Sequence, residues 1–309
     1  KQIEGTVTLV PSAKTLGSRT KLVIHAGTAR TTAAIRLIGR DKLESGQKAY
    51  ARLQLGHDLA TLPGQRFLLR GFNPIPGRGT TIGGGQVLSI LPPRRRLKDK
   101  EKWIAELEIL EKGDLDERLL LVLRRAGHAG LDAAGLSMRA GVGAKSIERS
   151  LDKLMAEKLV LKFDRESGRF VAGSIVEELV QRMVALLEKF HSENPLLPGM
   201  PLEQARNKLA RDLDARLFRT LIERQPGKGH FTRQGDVLRL TSHRVELDEA
   251  GSALRDKIFA EYEQAALAPP GPKVIAERVG KKQSAVEEIV RHLAREGLLT
   301  HISGEMYVT

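Results

Sequence analysis

Cysteine is absent from the 309 residues. That excludes disulfides and cysteine–zinc sites and fits a reducing compartment. Aromatic residues make up only 4% of the chain, which argues against an aromatic platform that stacks bases as the main binding mode. Long apolar runs are missing too. The longest candidate, Leu119–Leu123, falls far short of the ~20 residues a membrane helix needs, and no signal-peptide pattern is present. A cytoplasmic location, no membrane attachment and a monomer are expected. The first residue is Lys1, not methionine, and it leads straight into the strand-like run Thr6-Val7-Thr8-Leu9-Val10. A piece of a longer protein is therefore expected.

Catalytic motifs are equally scarce. Histidines at 25, 57, 128, 191, 230, 243, 292 and 301 form no H-E-x-x-H or other metal spacing. His292 sits one residue before an apolar helix position, and an exposed setting is expected for it. There is no G-x-S-x-G. Acidic pairs such as Glu177-Glu178 and Glu287-Glu288 read as solvated helix faces. No catalytic, cofactor-binding or metal-ligating residue is expected, so the functional reading rests on binding.

What is abundant is positive charge. Lys and Arg number 51 against 38 Asp and Glu, a net charge of +13, which suits a polyanion such as nucleic acid. Glycine is concentrated in GRGTTIGGGQVL, residues 77–88. A P-loop needs G-x-x-x-x-G-K-[ST], but Gln86 and Val87 follow Gly85, so the lysine and the hydroxyl are missing. A dinucleotide fingerprint needs a third glycine where Ile82 stands. The remaining reading is a strand whose glycines permit a bulge or close backbone packing.

Two regions differ in character. In residues 1–92, short runs at Thr20–Ile24, Thr32–Ile38, Ala49–Leu55 and Arg66–Leu69 are separated by Gly17-Ser18, Gly27, Ser45-Gly46 and Pro63-Gly64. Such strands with regular turns predict a small barrel or sandwich, with Val87-Leu88 in its last strand. Leu91-Pro92-Pro93 and the basic run Arg94-Arg95-Arg96-Leu97-Lys98 mark a boundary. A linker and a polyanion contact are both open there.

Beyond residue 100 the sequence turns helical and repeats. Ala140–Val160 aligns with Val279–Leu299 at a constant offset, 280 − 141 = 139 and 293 − 154 = 139. Apolar residues recur at i, i+4 and i+7 in both copies. A short helix (Ala133–Arg139, Lys273–Arg278) and a glycine turn precede each repeat. Two short strands follow: Val160–Phe163 and Arg169–Val171 in the first copy, Leu298–Ile302 and Met306–Val308 in the second. Helix, turn, helix and hairpin is the winged-helix plan. The offset leaves room for a third unit between, with helices at Ile175–Phe190 and Leu213–Glu223 and a hairpin at Phe231–Leu240. The expected fold is multidomain: an antiparallel β-barrel at 1–95, then an elongated α+β array of three winged helices at 96–172 (with the linker), 173–242 and 243–309.

In a winged helix, nucleic acid usually meets the second helix and the wing. That nominates Lys145, Arg149, Arg165 and Arg169 in the first unit, Lys228, Arg233 and Arg239 in the second, and Lys281, Lys282 and Arg291 in the third. Arg94, Arg95, Arg96 and Lys98 at the joint complete the candidate RNA contacts. The competing reading is ordinary surface charge, and Glu148, Glu157, Glu287 and Glu288 dilute the basic helices.

The barrel motifs His25-Ala26-Gly27-Thr28-Ala29, Leu43-Glu44-Ser45-Gly46, Gly64-Gln65-Arg66-Phe67-Leu68-Leu69-Arg70 and Thr80-Thr81-Ile82-Gly83-Gly84-Gly85, ahead of a proline-rich basic joint and serial winged helices, resemble the bacterial selenocysteine-specific elongation factor, SelB. The resemblance implies a barrel like the third domain of elongation factor Tu, which helps hold the acceptor arm of selenocysteinyl-tRNA. It implies winged helices that link a GTPase body to an mRNA hairpin following UGA, on the ribosome. GTP and magnesium would belong to a part upstream of this chain, and no cofactor is expected within it. The family has four winged helices and this chain three, so the hairpin-reading surface is expected to lie outside this piece. Two other readings stay open: a winged-helix DNA-binding regulator with an accessory β domain, and a protein–protein scaffold.

Overall fold

The computed structural model describes residues 1–75, 79–93, 99–224, 229–243, 249–265, 270–303 and 306–309. Its first strands are β1 (Gln2–Leu9), β2 (Leu16–Gly17), β3 (Lys21–Ala26), β4 (Ala29–Ile38), β5 (Lys42–Leu43), β6 (Lys48–Leu55), β7 (Arg66–Ile75) and β8 (Gly79–Ser89). Six of them close an antiparallel barrel in the order β1-β6-β4-β3-β7-β8, and β2 pairs with β5 beside it. Ile3, Val7, Leu22, Ile24, Ile35, Leu53, Leu69 and Val87 fill the interior, as alternation predicts for strands with one buried face.

The glycine run is architecture. A Cβ at Gly83 would overlap the Thr8 carbonyl, one at Gly84 the Phe67 carbonyl, and one at Gly85 the Thr6 carbonyl. These three residues lie on β8 between β1 and β7, and the barrel closes there only if no side chain intervenes.

Strand β1 departs from simple alternation, with Glu4 and Thr6 on the outward side also buried. The cover comes from α1 (Lys100–Lys112) and α2 (Leu115–Ala126). Their Trp103, Leu107, Leu110 and Leu121 pack on Ile38 and Leu88 of the barrel wall. Two helices thus lie on the barrel.

Helix α2 also opens the first winged helix. It starts with a reciprocal cap, in which Asp114 accepts from the Glu117 N–H and the Glu117 side chain accepts from the Asp114 N–H. Then come α3 (Ala133–Ala140), α4 (Ala144–Ala156), β9 (Val160–Asp164) and β10 (Arg169–Ala172), around a core of Leu119, Leu123, Leu136, Ile147, Leu151 and Leu154. Residues Lys1–Glu177 form one compact unit.

Glu178–Thr309 form a second unit. Its elements are the greater part of α5 (Gly173–Glu193), then β11 (Met200–Pro201), α6 (Leu202–Leu209), α7 (Ala215–Glu223), β12 (Phe231–Gln234) and β13 (Val237–Leu240). The sheet order is β11-β13-β12. Helix α6 was not among the predicted helices: in LEQARNKL only Ala205 and Leu209 are buried, too little for an apolar period. The last elements are α8 (Glu249–Ala265), α9 (Pro272–Val279), α10 (Gln283–Arg295), β14 (Thr300–Ser303) and β15 (Met306–Val308). The repeat holds in detail. Gly141 and Gly280 both end a helix in the left-handed region, at φ 69° and 66°. The aligned Ile147 and Val286, Leu151 and Val290, and Leu154 and Leu293 are all buried. Hairpins follow all three helix pairs. His292 corrects its expectation. It is 7% exposed, because it lies one turn beyond buried Ile289 and the apolar stripe of α10 is wide enough to include it.

Candidate nucleic-acid interface

Strands β4, β3 and β7 are neighbours in the barrel, and their buried residues are apolar except Thr31. Their outward positions carry Arg30, Thr32 and Arg36 on β4, Lys21, Val23 and His25 on β3, and Arg66, Leu68, Arg70 and Phe72 on β7. The register sets His25 beside Arg30 and Leu68, and Val23 beside Thr32 and Arg70. No aspartate or glutamate occurs in the three strand sequences KLVIHA, ARTTAAIRLI and RFLLRGFNPI. The five Lys and Arg side chains are exposed, as is Phe72 at 64%, so the wall pairs free cations with an aromatic face. His25 registers the potential: partial burial, then the Arg70 and Arg30 charges, hold its imidazole below the usual histidine range. Such a wall attracts a phosphate backbone and offers a ring for a base or ribose.

The sequence-nominated residues fall into three sets. On α4, Lys145 and Arg149 are exposed one turn apart, but Glu148 and Asp152 share that exposed surface. On α10, Lys281 and Lys282 are exposed at its start, while Arg291 is tied to Glu287 at 2.9 Å. Arg165 and Arg233 are exposed near wing tips, Arg233 donating to the Gly235 carbonyl at 2.8 Å.

The second set is committed internally. The Arg169 guanidinium lies 5.2 Å from the Phe163 ring centre and donates to the Ala129 carbonyl. Arg239 donates to the His243 carbonyl at 2.8 Å. Both are fold residues first. The third set, Arg94, Arg95, Arg96, Lys98 and Lys228, lies outside the described residues.

Sequence reasoning did not nominate the wall itself. Each strand was legible, but the adjacency of β4, β3 and β7 is a product of barrel closure. The available signal was the absence of acids from all three runs. Two motifs that carry the family resemblance, 25–29 and 64–70, meet on this wall. Among the described residues no group of three His, Asp or Glu is arranged to hold a metal ion, and no helix is long and apolar enough to cross a membrane.

Comparison with known proteins agrees with the barrel and winged-helix architecture. Residues 4–94 match the β-barrel domain of the selenocysteine-specific elongation factor. Residues 184–240 match the winged helix of elongation factor SelB, in the form of its second such domain. The selenocysteine-specific elongation factor of Desulfomicrobium baculatum is 30% identical over 299 residues, which is 97% of this chain and 46% of that protein. The chain thus spans about half the length of that relative. A matched barrel, a matched winged helix and an alignment that covers 97% of the chain at 30% identity assign the chain to the SelB family of selenocysteine-specific elongation factors.

Proposed function

We propose that this chain is the RNA-handling portion of a factor that delivers selenocysteinyl-tRNA to UGA codons. The barrel wall holds the tRNA acceptor arm. The winged helices connect that grip to the ribosome and the mRNA hairpin, with Lys145, Arg149, Arg165, Arg233, Lys281 and Lys282 as secondary phosphate contacts. Tying two RNAs to one protein raises the local concentration of the charged tRNA at the right codon. The chain itself makes and breaks no covalent bond in this reading.

GTP and magnesium belong to a GTPase part of the parent protein outside this chain. The residues here do not fit a nucleotide phosphate: Gly83–Gly85 are filled against by the backbones of β1 and β7, leaving no cradle of free N–H groups.

The observation that carries the reading is the acid-free basic wall bearing the family motifs. The test is filter binding of the chain to selenocysteine tRNA, bulk tRNA and duplex DNA at low and moderate salt. Preference for selenocysteine tRNA that persists at the higher salt supports it. Equal affinity for all three polyanions, collapsing together with salt, overturns it.

A further inference from the structure

We propose that the crevice between barrel strand β8 and the first winged helix binds a small oxyanion of the phosphate class. The inference is independent of the RNA reading. A cavity of about 70 Å³ opens between Gly64, Gln86 and Leu88 of the barrel and Arg118, Val122 and Arg139 of α2 and α3. A smaller recess of about 20 Å³ shares Leu88, Val122 and Arg139 with it and adds Arg125. A water-sized sphere needs roughly 10–15 Å³, so the larger space admits a five-atom tetrahedral ion.

The walls supply donors in excess. Nε of Arg139 and Nη2 of Arg125 are buried and reach no acceptor in the protein. Leaving such donors unmatched is costly. The acidic wall residue, Glu111, is already used: one oxygen takes the Lys48 ammonium and the other accepts from the Tyr50 hydroxyl at 2.6 Å. Gln86 spends its amide N–H on the Gly64 carbonyl at 3.0 Å. Arg125 balances its own charge, with Nε on Glu106 at 2.8 Å and Nη1 3.7 Å from Glu4. Arg118 donates only to the neutral Asp114 carbonyl, at 3.3 Å. Two guanidinium charges, Arg118 and Arg139, thus face the cavity without a carboxylate of their own. An oxyanion answers both the charge and the empty N–H groups with charge-assisted bonds, and it ties the barrel to α2 and α3.

Inorganic phosphate, titrated into the full chain at constant ionic strength against chloride, is the direct test. The expected result is a saturable rise in melting temperature of roughly 4 °C or more, lost in Arg139→Gln and in Arg118→Gln and retained in Lys14→Gln, an exposed residue between β1 and β2 away from the crevice and the basic wall. Using two crevice variants covers the case in which one fails to fold. Calorimetric titration should show at least a tenfold loss of affinity in each.

A 5′-phosphorylated oligonucleotide that competes with phosphate at this Arg139-dependent site would name a nucleic-acid terminus as the source. Failure to compete would name the free ion. A rise that does not saturate, one that survives both crevice variants, or no rise at all would overturn the proposal and leave the crevice to water.

Discussion

His191 shows how much a single residue's surroundings decide. Its ring is 6% exposed and stacks on His243 with centroids 3.6 Å apart. Nε2 accepts from the Leu240 N–H at 3.3 Å, so the neutral ring is the one that fits. Burial first, then His243 and Arg239, lower its pKa from 6.5 to about 4. The sign of the linkage follows. Between those two values the unfolded chain binds the proton and the folded one does not, so stability is lost as pH falls from 6.5 toward 4. The loss owed to this group is roughly 2–4 kcal/mol. Substitution His191→Gln keeps an acceptor near Leu240 but does not titrate. Denaturation of both proteins across pH 4–7 should give a shallower acid loss in the variant; parallel curves would remove His191 from the account.

At the scale of elements, the joint between the barrel and its first helices rests on a buried charge cluster. Glu4 on β1 is fully buried. One of its oxygens takes Arg52 at 2.6 Å and the Trp103 indole N–H at 2.7 Å, while Arg52 also donates to the Pro93 carbonyl at 2.8 Å and lies 4.5 Å from the Trp103 ring centre. Replacing Glu4 by Gln leaves the Arg52 guanidinium without its carboxylate and removes one of the two that face Arg125, and should cost about 3–5 kcal/mol in urea denaturation; a loss below about 1 kcal/mol would mean the cluster is incidental. The glycine strand gives a second check. Gly85→Ala should destabilise by at least about 3 kcal/mol, since the new methyl meets backbone that cannot rotate away. Gly143→Ala, where nothing lies within 4 Å, should be nearly neutral. Comparable losses in both would contradict the close-packing account of the glycine run.

Across the whole molecule, legibility followed the range of the interaction that fixes each feature. The repeat at offset 139 and its buried positions were readable because helix periodicity and a glycine cap are local. The strands were readable for the same reason. Helix α6 was not, because it buries two residues and takes its stability from its neighbours. His292 was misplaced because one position's burial depends on the partner helix. The candidate interface was the least legible feature. Arg30 and Arg70 are 40 positions apart and share one wall through barrel order alone. Winged-helix plans drew attention to α4 and α10, where acids are interleaved, and away from a wall with none. The chain's net charge of +13 suits a polyanion but does not say where one would bind.

The central claim is that the barrel wall, rather than the recognition helices, grips RNA. The most direct measurement compares selenocysteine-tRNA binding by two double variants, Arg30→Ala with Arg70→Ala and Lys145→Ala with Arg149→Ala, over a salt series. The account predicts at least a tenfold weaker affinity for the wall variant and a salt slope shallower by about 1–2, with less than a threefold change for the helix variant. An unchanged affinity in the wall variant, or a larger loss in the helix variant, would contradict it.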